Sequence, residues 1–148
     1  MDNNDKQLKL KGQLCFPIYA LSREIIKIYR PYLEPLDLTY TQYIAMLVFW
    51  EDKKLSVKEL GKKLYLDSGT LTPVLKSLEA KGFVNRYRSS EDERVLIVEI
   101  TDKGEKLKEK AKSIPYSMLK HNRALTEDEL RQLYYLSSKL LVNEENSD

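Results

Sequence analysis

The stretch from Ser56 to Lys81 constrains the fold most, because it predicts two short helices joined by a tight turn. In the second helix, apolar residues recur every three or four positions, as on the buried side of a helix: Leu71, Val74, Leu75 and Leu78. The opposite side carries short hydroxylated or cationic side chains, which suit phosphates and base edges: Ser68, Thr70, Thr72, Lys76 and Ser77. This pattern favours a recognition helix that enters the major groove of DNA over a plain core helix with a solvated face.

Pro73 is counted among the DNA-facing residues. It also leaves two possible positions for the start of this helix. In the first, Thr72 caps the helix and Pro73 lies in its first turn, where proline is tolerated. In the second, the helix begins at Asp67 and Pro73 kinks it. Gly82 is expected to end the helix, as glycine commonly does.

A β-hairpin is predicted directly after the recognition helix. Residues 83–88 and 95–100 have the composition of strands, and the polar run 89–94 between them has the length of a hairpin tip. A hairpin that follows two such helices predicts a winged helix-turn-helix. The fold class is therefore mainly α-helical with a small β-hairpin wing.

Arginines are concentrated on this wing. By strand alternation, Arg86 and Arg88 lie on one side of the first strand, and Arg94 precedes the second strand. Arginines on a hairpin suit contact with the DNA backbone or insertion into the minor groove. Asp92 is expected to hold Arg94 through a charge-assisted hydrogen bond. On charge alone, an ordinary solvated loop would be the better interpretation.

Further helices are predicted on both sides of this unit. The first runs from Leu14 to about Tyr29, with Pro17 near its start and Pro31 and Pro35 ending it. Capping boxes and a capping threonine mark the later helix starts: Thr39 with Gln42, Ser56 with Glu59, Thr101, and Thr126 with Glu129. Pro115 is expected to break the helix that begins at Asp102. The last helix has an apolar face made of Leu130, Leu133, Leu136, Leu140 and Leu141.

The terminal helices predict a homodimer. Their apolar stripes need a surface to pack against, and a second copy of the chain would provide one. A two-fold dimer would also place two recognition helices in successive major grooves of palindromic DNA. Residues 1–148 would then form one domain, in which 39–100 are the winged helix-turn-helix and 13–35 and 102–148 are dimerisation helices.

Composition restricts the other classes of function. The net charge is only +2, so any DNA-binding surface must be a local basic patch. A single cysteine excludes an intramolecular disulfide and a cysteine-rich zinc site, and His121 alone adds little, so we expect no metal and no cofactor. The sequence has no apolar run of membrane-spanning length, and its polar start is unlike a signal peptide. We expect a cytoplasmic protein without a membrane partner.

Cys15 is a candidate reactive thiol, although a lone cysteine is more often inert and buried. Pro17 places Cys15 near a helix start, where the helix dipole favours a thiolate. Phenol groups that could donate a hydrogen bond to it are Tyr19, one turn further on, Tyr29 and Tyr40. Fourteen helical residues span about 21 Å, so Tyr29 could meet only the Cys15 of another subunit, in an antiparallel arrangement.

Three strings of residues resemble those of MarR-type repressors, and in particular the organic-hydroperoxide-sensing OhrR branch. They are Leu-Tyr-Leu-Asp-Ser-Gly-Thr-Leu-Thr-Pro at 64–73, Asp-Glu-Arg at 92–94 and Gln-Leu-Cys-Phe at 13–16. The Asp-x-Arg pattern is shared by MarR proteins generally. The longer string together with Leu-Cys-Phe is specific to the OhrR branch and its staphylococcal SarZ and MgrA relatives. The resemblance covers nearly the whole chain.

The resemblance implies a homodimeric repressor, not an enzyme, that binds palindromic double-stranded operator DNA and is released by organic hydroperoxide. It implies that Cys15 reacts, that Tyr29 and Tyr40 of the other subunit hydrogen-bond it, and that Arg94 enters the minor groove. With one cysteine, the oxidised sulfur would be trapped by a low-molecular-weight thiol or over-oxidised.

Three alternatives remain open at this point. One is a broader regulator of virulence or metabolism, as in SarZ and MgrA. Another is a regulator that responds to a reversibly bound aromatic acid. The third is a one-cysteine peroxidase, which is disfavoured because no arginine or threonine lies close to Cys15 in the sequence to stabilise a peroxide transition state.

Overall fold

The computed structural model describes residues 8–121 and 124–145. In chain order, their helices and strands are α1 (Cys15–Leu33), α2 (Tyr40–Asp52), β1 (Lys54–Ser56), α3 (Val57–Leu64), α4 (Ser68–Ala80), β2 (Val84–Arg88), β3 (Leu96–Ile100), α5 (Asp102–Ala111), α6 (Ile114–His121) and α7 (Glu127–Glu145). Short 3-10 turns cover Leu10–Gly12 and Glu34–Leu36. The helix–turn–helix of α3 and α4, followed by the β2–β3 hairpin, confirms the predicted winged helix-turn-helix.

The chain divides into two compact units, one up to Lys112 and one from Ser113 on. The first unit contains the sheet and helices α1 to α5, so α5 belongs with the winged helix-turn-helix rather than with the later helices. The indole Nε1 of Trp50 in α2 fixes α5 by donating a hydrogen bond to the carbonyl of Gly104, at 2.9 Å. The predicted role of residues 102–148 in dimerisation remains a prediction.

The sheet has the strand order β1–β3–β2, and both pairings are antiparallel. Val98 in the central strand is paired with Leu55 on one side and with Arg86 on the other. Strand β1 was not predicted. It is only three residues long and is held by its antiparallel pairing with β3.

The core of the first unit confirms the predicted buried stripe of α4. Leu71, Leu75 and Leu78 are at most 1% exposed, and Val74 is half-buried. They pack in a core whose other large, fully buried members are Leu33, Met46, Phe49, Leu60, Val84 and Val98. Burying a leucine side chain contributes about 1.5–3 kcal/mol, so this stripe holds α4 firmly in place.

Local capping signals predicted the helix starts correctly. In each of the three capping boxes, the hydroxyl accepts from the backbone N–H three residues on, and the Gln or Glu side chain accepts in return: Thr39 with Gln42, Ser56 with Glu59, and Thr126 with Glu129. Thr101 caps α5 by accepting from the backbone N–H of Gly104 at 3.1 Å. At the end of α4, Gly82 has φ +79, the left-handed conformation expected of a glycine at that position.

The prolines behave differently from the expectation. Pro31 was expected to end α1, but it lies inside the last turn, and α1 continues for two residues beyond it to Leu33 although proline has no backbone N–H to donate. Pro115 does not break a helix, because α5 has already ended at Ala111 and Pro115 lies in the first turn of α6.

The second unit contains α6 and α7. The predicted apolar face of α7 has the expected residues, with Leu130 half-buried and the rest exposed: Leu133, Leu136, Leu140 and Leu141. None of the helices in the described ranges is long and apolar enough to cross a membrane.

Candidate DNA interface and redox site

The exposed side of α4 carries the predicted DNA-facing residues. Ser68, Thr70, Thr72, Pro73 and Lys76 are all exposed. The Thr72 hydroxyl donates to the carbonyl of Ser68 at 2.7 Å, which leaves its oxygen available as an acceptor on this surface.

The N-terminus of α4 settles where the helix begins. Asp67 is its N-cap, and a carboxylate oxygen of Asp67 accepts from the backbone N–H of Thr70 at 2.7 Å. That hydrogen bond lowers the pKa of Asp67, because it stabilises the charged form. Pro73 therefore lies inside α4, as in the second of the two starts considered.

Ser77 departs from the expected polar face. It is half-buried, and its hydroxyl accepts a hydrogen bond from the amide of Gln42 at 3.0 Å. Ser77 therefore faces α2 rather than the surface on which Lys76 lies.

The tip of the wing holds Arg94 in a fixed orientation. Its Nε and Nη2 donate to the two carboxylate oxygens of Asp92 at 3.0 and 3.1 Å, and its backbone N–H donates to the same carboxylate at 3.0 Å. These hydrogen bonds lower the pKa of Asp92. The predicted Asp92–Arg94 contact is confirmed, and the side chain of Arg94 is 90% exposed at the tip. Arg88 is also exposed.

Arg86 does not occupy the position expected for a DNA contact. Its Nη2 forms an ion pair with Glu79 of α4 at 3.1 Å, and its backbone N–H donates to the same carboxylate at 3.0 Å. The side chain is only 19% exposed, and the pairing lowers the pKa of Glu79. Arg86 thus joins the wing to α4 and is mostly buried, unlike Arg94.

Cys15 is a free, exposed thiol and the first residue of α1. Tyr19 lies one turn further on, is 58% exposed, and has the guanidinium of Arg23 5.7 Å from its ring centroid. Large apolar side chains near the start of α1 are also exposed: Leu14, Phe16, Ile18 and Leu21. An exposed thiol on an apolar surface is accessible to a small apolar oxidant.

The two other predicted phenols meet each other but not the Cys15 of their own chain. The rings of Tyr29 and Tyr40 are 4.9 Å apart, and Tyr43, which the sequence analysis missed, lies 5.7 Å from Tyr29 and 6.4 Å from Tyr40. We call Tyr29, Tyr40 and Tyr43 the tyrosine cluster. Because Cys15 and Tyr29 lie at opposite ends of the continuous helix α1, about 21 Å of helix separates them.

Burial raises the pKa of every phenol in this cluster. Desolvation raises the pKa of Tyr29, with a further increase from Tyr40, and it raises the pKa of Tyr40 as well. Burial and the two neighbouring phenols raise the pKa of Tyr43 to about 12. A phenol is protonated at neutral pH even at its ordinary pKa of about 10, so each hydroxyl can donate a hydrogen bond to a thiolate.

No group of three or more His, Cys, Asp or Glu side chains is placed to hold a metal ion within residues 8–121 and 124–145.

Comparisons with known proteins agree with this arrangement. The profile of the family described as transcriptional regulator SarA/Rot matches residues 27–111. The organic hydroperoxide resistance transcriptional regulator of Bacillus subtilis is 50% identical over 133 residues, which are 90% of either chain.

Two solved structures are similar over almost the whole chain. Reduced AbfR bound to DNA, a protein of Staphylococcus epidermidis, has a TM-score of 0.77 and 34% identity, and the match covers 95% of this chain and 97% of AbfR. A MarR mutant from E. coli in complex with operator DNA has a TM-score of 0.78 and 26% identity, and the match covers 95% of this chain and 99% of MarR.

Proposed function

Because this chain belongs to the SarA/Rot family of transcriptional regulators, we propose that it is a repressor released from operator DNA when an organic hydroperoxide oxidises Cys15. The observation that carries this proposal is the free, exposed thiol at the first residue of α1, in a chain half-identical to a regulator of organic hydroperoxide resistance. The exposed polar side of α4 and the wing arginines Arg88 and Arg94 are the surfaces that would bind the operator.

The working form is a homodimer. The exposed apolar side chains around Cys15 and along α7 are what a second copy would cover. A two-fold axis would set two copies of α4 about 34–36 Å apart, the spacing of successive major grooves, so the operator is palindromic.

The reaction at Cys15 is a two-electron oxidation. The thiolate attacks one peroxide oxygen, the S–O bond forms as the O–O bond breaks, and the alkoxide leaves and takes up a proton to become an alcohol. The sulfur becomes a sulfenic acid, and the hydroperoxide is reduced. A low-molecular-weight thiol then condenses with the sulfenic acid to give a mixed disulfide and water.

Release of the operator follows from the position at which the mixed disulfide adds volume. In an antiparallel dimer, Cys15 of one protomer would lie beside Tyr29 and Tyr40 of the other, because Tyr29 is too far along α1 to meet its own Cys15. A Cys15 side chain that carries a mixed disulfide no longer fits between these phenols. The helices that bear the tyrosine cluster then shift, and the two copies of α4 lose the spacing that both grooves require.

The experiment that tests this proposal is operator binding before and after treatment with cumene hydroperoxide and a low-molecular-weight thiol. Footprinting upstream of the gene for this protein would first locate the operator. Wild-type protein is expected to release it on oxidation, whereas Cys15→Ser, which keeps the size of the side chain, is expected to stay bound. Release of Cys15→Ser by the same treatment would reject the thiol mechanism and favour a reversibly bound inducer.

Each chain is proposed to react once rather than to turn over, and to act in the cytoplasm, where it has access to the chromosome. The relatives named above are transcriptional regulators. Peroxide consumption that greatly exceeds the number of chains, with reductant present, would instead identify a peroxidase.

A further inference from the structure

Gln42 is the polar side chain that the fold buries most completely among the described residues. It is the third residue of α2 and is 6% exposed. A buried amide costs free energy unless its donors and acceptors are paired, so its hydrogen bonds are part of what holds the surrounding helices in position.

The hydrogen bonds of Gln42 join α2 to the recognition helix. Its Oε1 accepts from the backbone N–H of Thr39 at 3.1 Å and from Nζ of Lys81 at 3.1 Å, and its Nε2 donates to the hydroxyl of Ser77 at 3.0 Å. Ser77 lies in the last turn of α4, and Lys81 is its C-cap. We call the hydrogen bonds from Gln42 to Ser77 and Lys81 the Gln42 link.

Lys81 extends the link to the connection between α1 and α2. Its Nζ donates to the carbonyl of Asp37 and lies 3.4 Å from a carboxylate oxygen of the same residue. Asp37 has φ 55, a left-handed conformation that fixes the turn leading into Thr39. The end of α4 is thus attached to the chain immediately before α2 and to the first turn of α2.

That same first turn of α2 carries two members of the tyrosine cluster. Tyr40 and Tyr43 flank Gln42 in sequence and pack against Tyr29 of α1. A displacement at the cluster therefore moves the residue that is hydrogen-bonded to α4. Helix α2 also buries Ala45 and Met46, but apolar contacts are non-directional, whereas hydrogen bonds fix the position of one helix along the other.

We propose that Gln42 is a positioning residue that transmits a displacement of the tyrosine cluster to the recognition helix α4 through Ser77 and Lys81. The proposal rests on the proposed function, since it assumes that oxidation of Cys15 disturbs the cluster. It adds the route within one chain by which the disturbance reaches the DNA-binding surface.

The test separates sensing from release by using variants that leave Gln42 and its capping box in place. In the double variant Ser77→Ala/Lys81→Met, both partners of the Gln42 link are removed. Lys63→Met is the matched control, because it removes a lysine paired with Asp52 on α2, outside the link. The quantity compared is the ratio of operator Kd after and before full oxidation of Cys15, so a change in the reduced-state affinity alone does not count.

Trp50 supplies the second readout. It is the single tryptophan of the chain, it lies on α2, and its ring is 6.5 Å from that of Tyr43, so its fluorescence reports on α2 without any DNA. Wild type and Lys63→Met should both show a change in emission on oxidation and a Kd ratio in the range of about 5–150, as is typical of allosteric coupling. The double variant should keep the change in emission while its Kd ratio falls to within about twofold of 1, the usual error of additivity.

Two results for the double variant would overturn the inference. One is a Kd ratio equal to that of wild type. The other is loss of both the Trp50 emission change and the release of operator on oxidation. That result would mean that the Gln42 link is needed for the change at the tyrosine cluster itself rather than for its transmission to α4. A wild-type Kd ratio of 1 after complete oxidation would instead reject the proposed function, and with it this inference.

Discussion

Gly104→Ala is expected to destabilise the protein, although alanine is the better helix former. A methyl group at Gly104 would lie 2.3 Å from the carbonyl oxygen of Phe83 and 2.8 Å from Cγ1 of Ile100. Neither the backbone at Phe83 nor the backbone at Gly104 can move away freely, because both are hydrogen-bonded. The Phe83 carbonyl accepts from the backbone N–H of Thr101 at 3.0 Å, and the carbonyl of Gly104 accepts from the indole of Trp50 at 2.9 Å.

The magnitude follows from two opposing contributions. Overpacking of a well-packed site costs about 1–3 kcal/mol, and the upper part of that range applies to Gly104 because one of the obstructing atoms belongs to the backbone. The helix propensity of alanine over glycine offsets at most about 1 kcal/mol of this cost. The net loss is about 2 kcal/mol, which lowers the Tm by roughly 4–8 °C for a chain of this size.

The assay is thermal unfolding followed by circular dichroism at one fixed protein concentration, because dimerisation makes Tm concentration-dependent. Gly69→Ala is the matched control. The new methyl group would meet only a carboxylate oxygen of Asp67 at 3.5 Å, which is ordinary contact. This variant is expected to be more stable than wild type by about 0.4–1 kcal/mol. A Tm of Gly104→Ala equal to or above that of wild type would refute the close-approach reasoning.

Three further predictions concern the wing and the tyrosine cluster. Asp92→Asn removes the charge that orients Arg94, so binding to the operator should weaken while binding to unrelated DNA does not; equal loss on both kinds of DNA would contradict the orienting role. Arg94→Ala should lower the slope of log K against log salt concentration by about 1 for each wing that contacts DNA. The folded-state pKa of Tyr43 is raised from 10.0 to about 12. The stability that the neutral Tyr43 phenol contributes is therefore fully present below pH 10 and is lost as the pH rises from 10 to about 12. The Tm of Tyr43→Phe should fall less than that of wild type over the same window, and parallel falls would show that Tyr43 does not titrate in this way.

The order of most helices could be predicted from the sequence because their start signals are local. Thr39, Ser56 and Thr126 each stand three residues before the side chain that completes the capping box, so the sequence alone locates these helix starts. The contact between Asp92 and Arg94 is predictable for the same reason, since the two residues are close in the chain.

What was missed depends on contacts between distant segments. Strand β1 is three residues long and is defined by its pairing with β3. Tyr43 follows Tyr40 by three positions, but α2 is apolar on nearly all sides, so the sequence does not show which side faces Tyr29. The side of β2 that carries Arg86 was predicted from the strand alternation, but nothing in the sequence shows that Glu79 of α4 lies opposite it.

The most direct measurement of the central claim follows two quantities in the same samples. A complex of the reduced protein with its operator is titrated with cumene hydroperoxide in the presence of a low-molecular-weight thiol. Mass spectrometry of the intact chain gives the fraction of Cys15 carrying the mixed disulfide, and fluorescence anisotropy gives the fraction of operator bound. We predict that bound operator falls as the modified fraction rises, and that Cys15→Ser keeps its operator throughout. Operator that remains bound when every Cys15 is modified would contradict the claim.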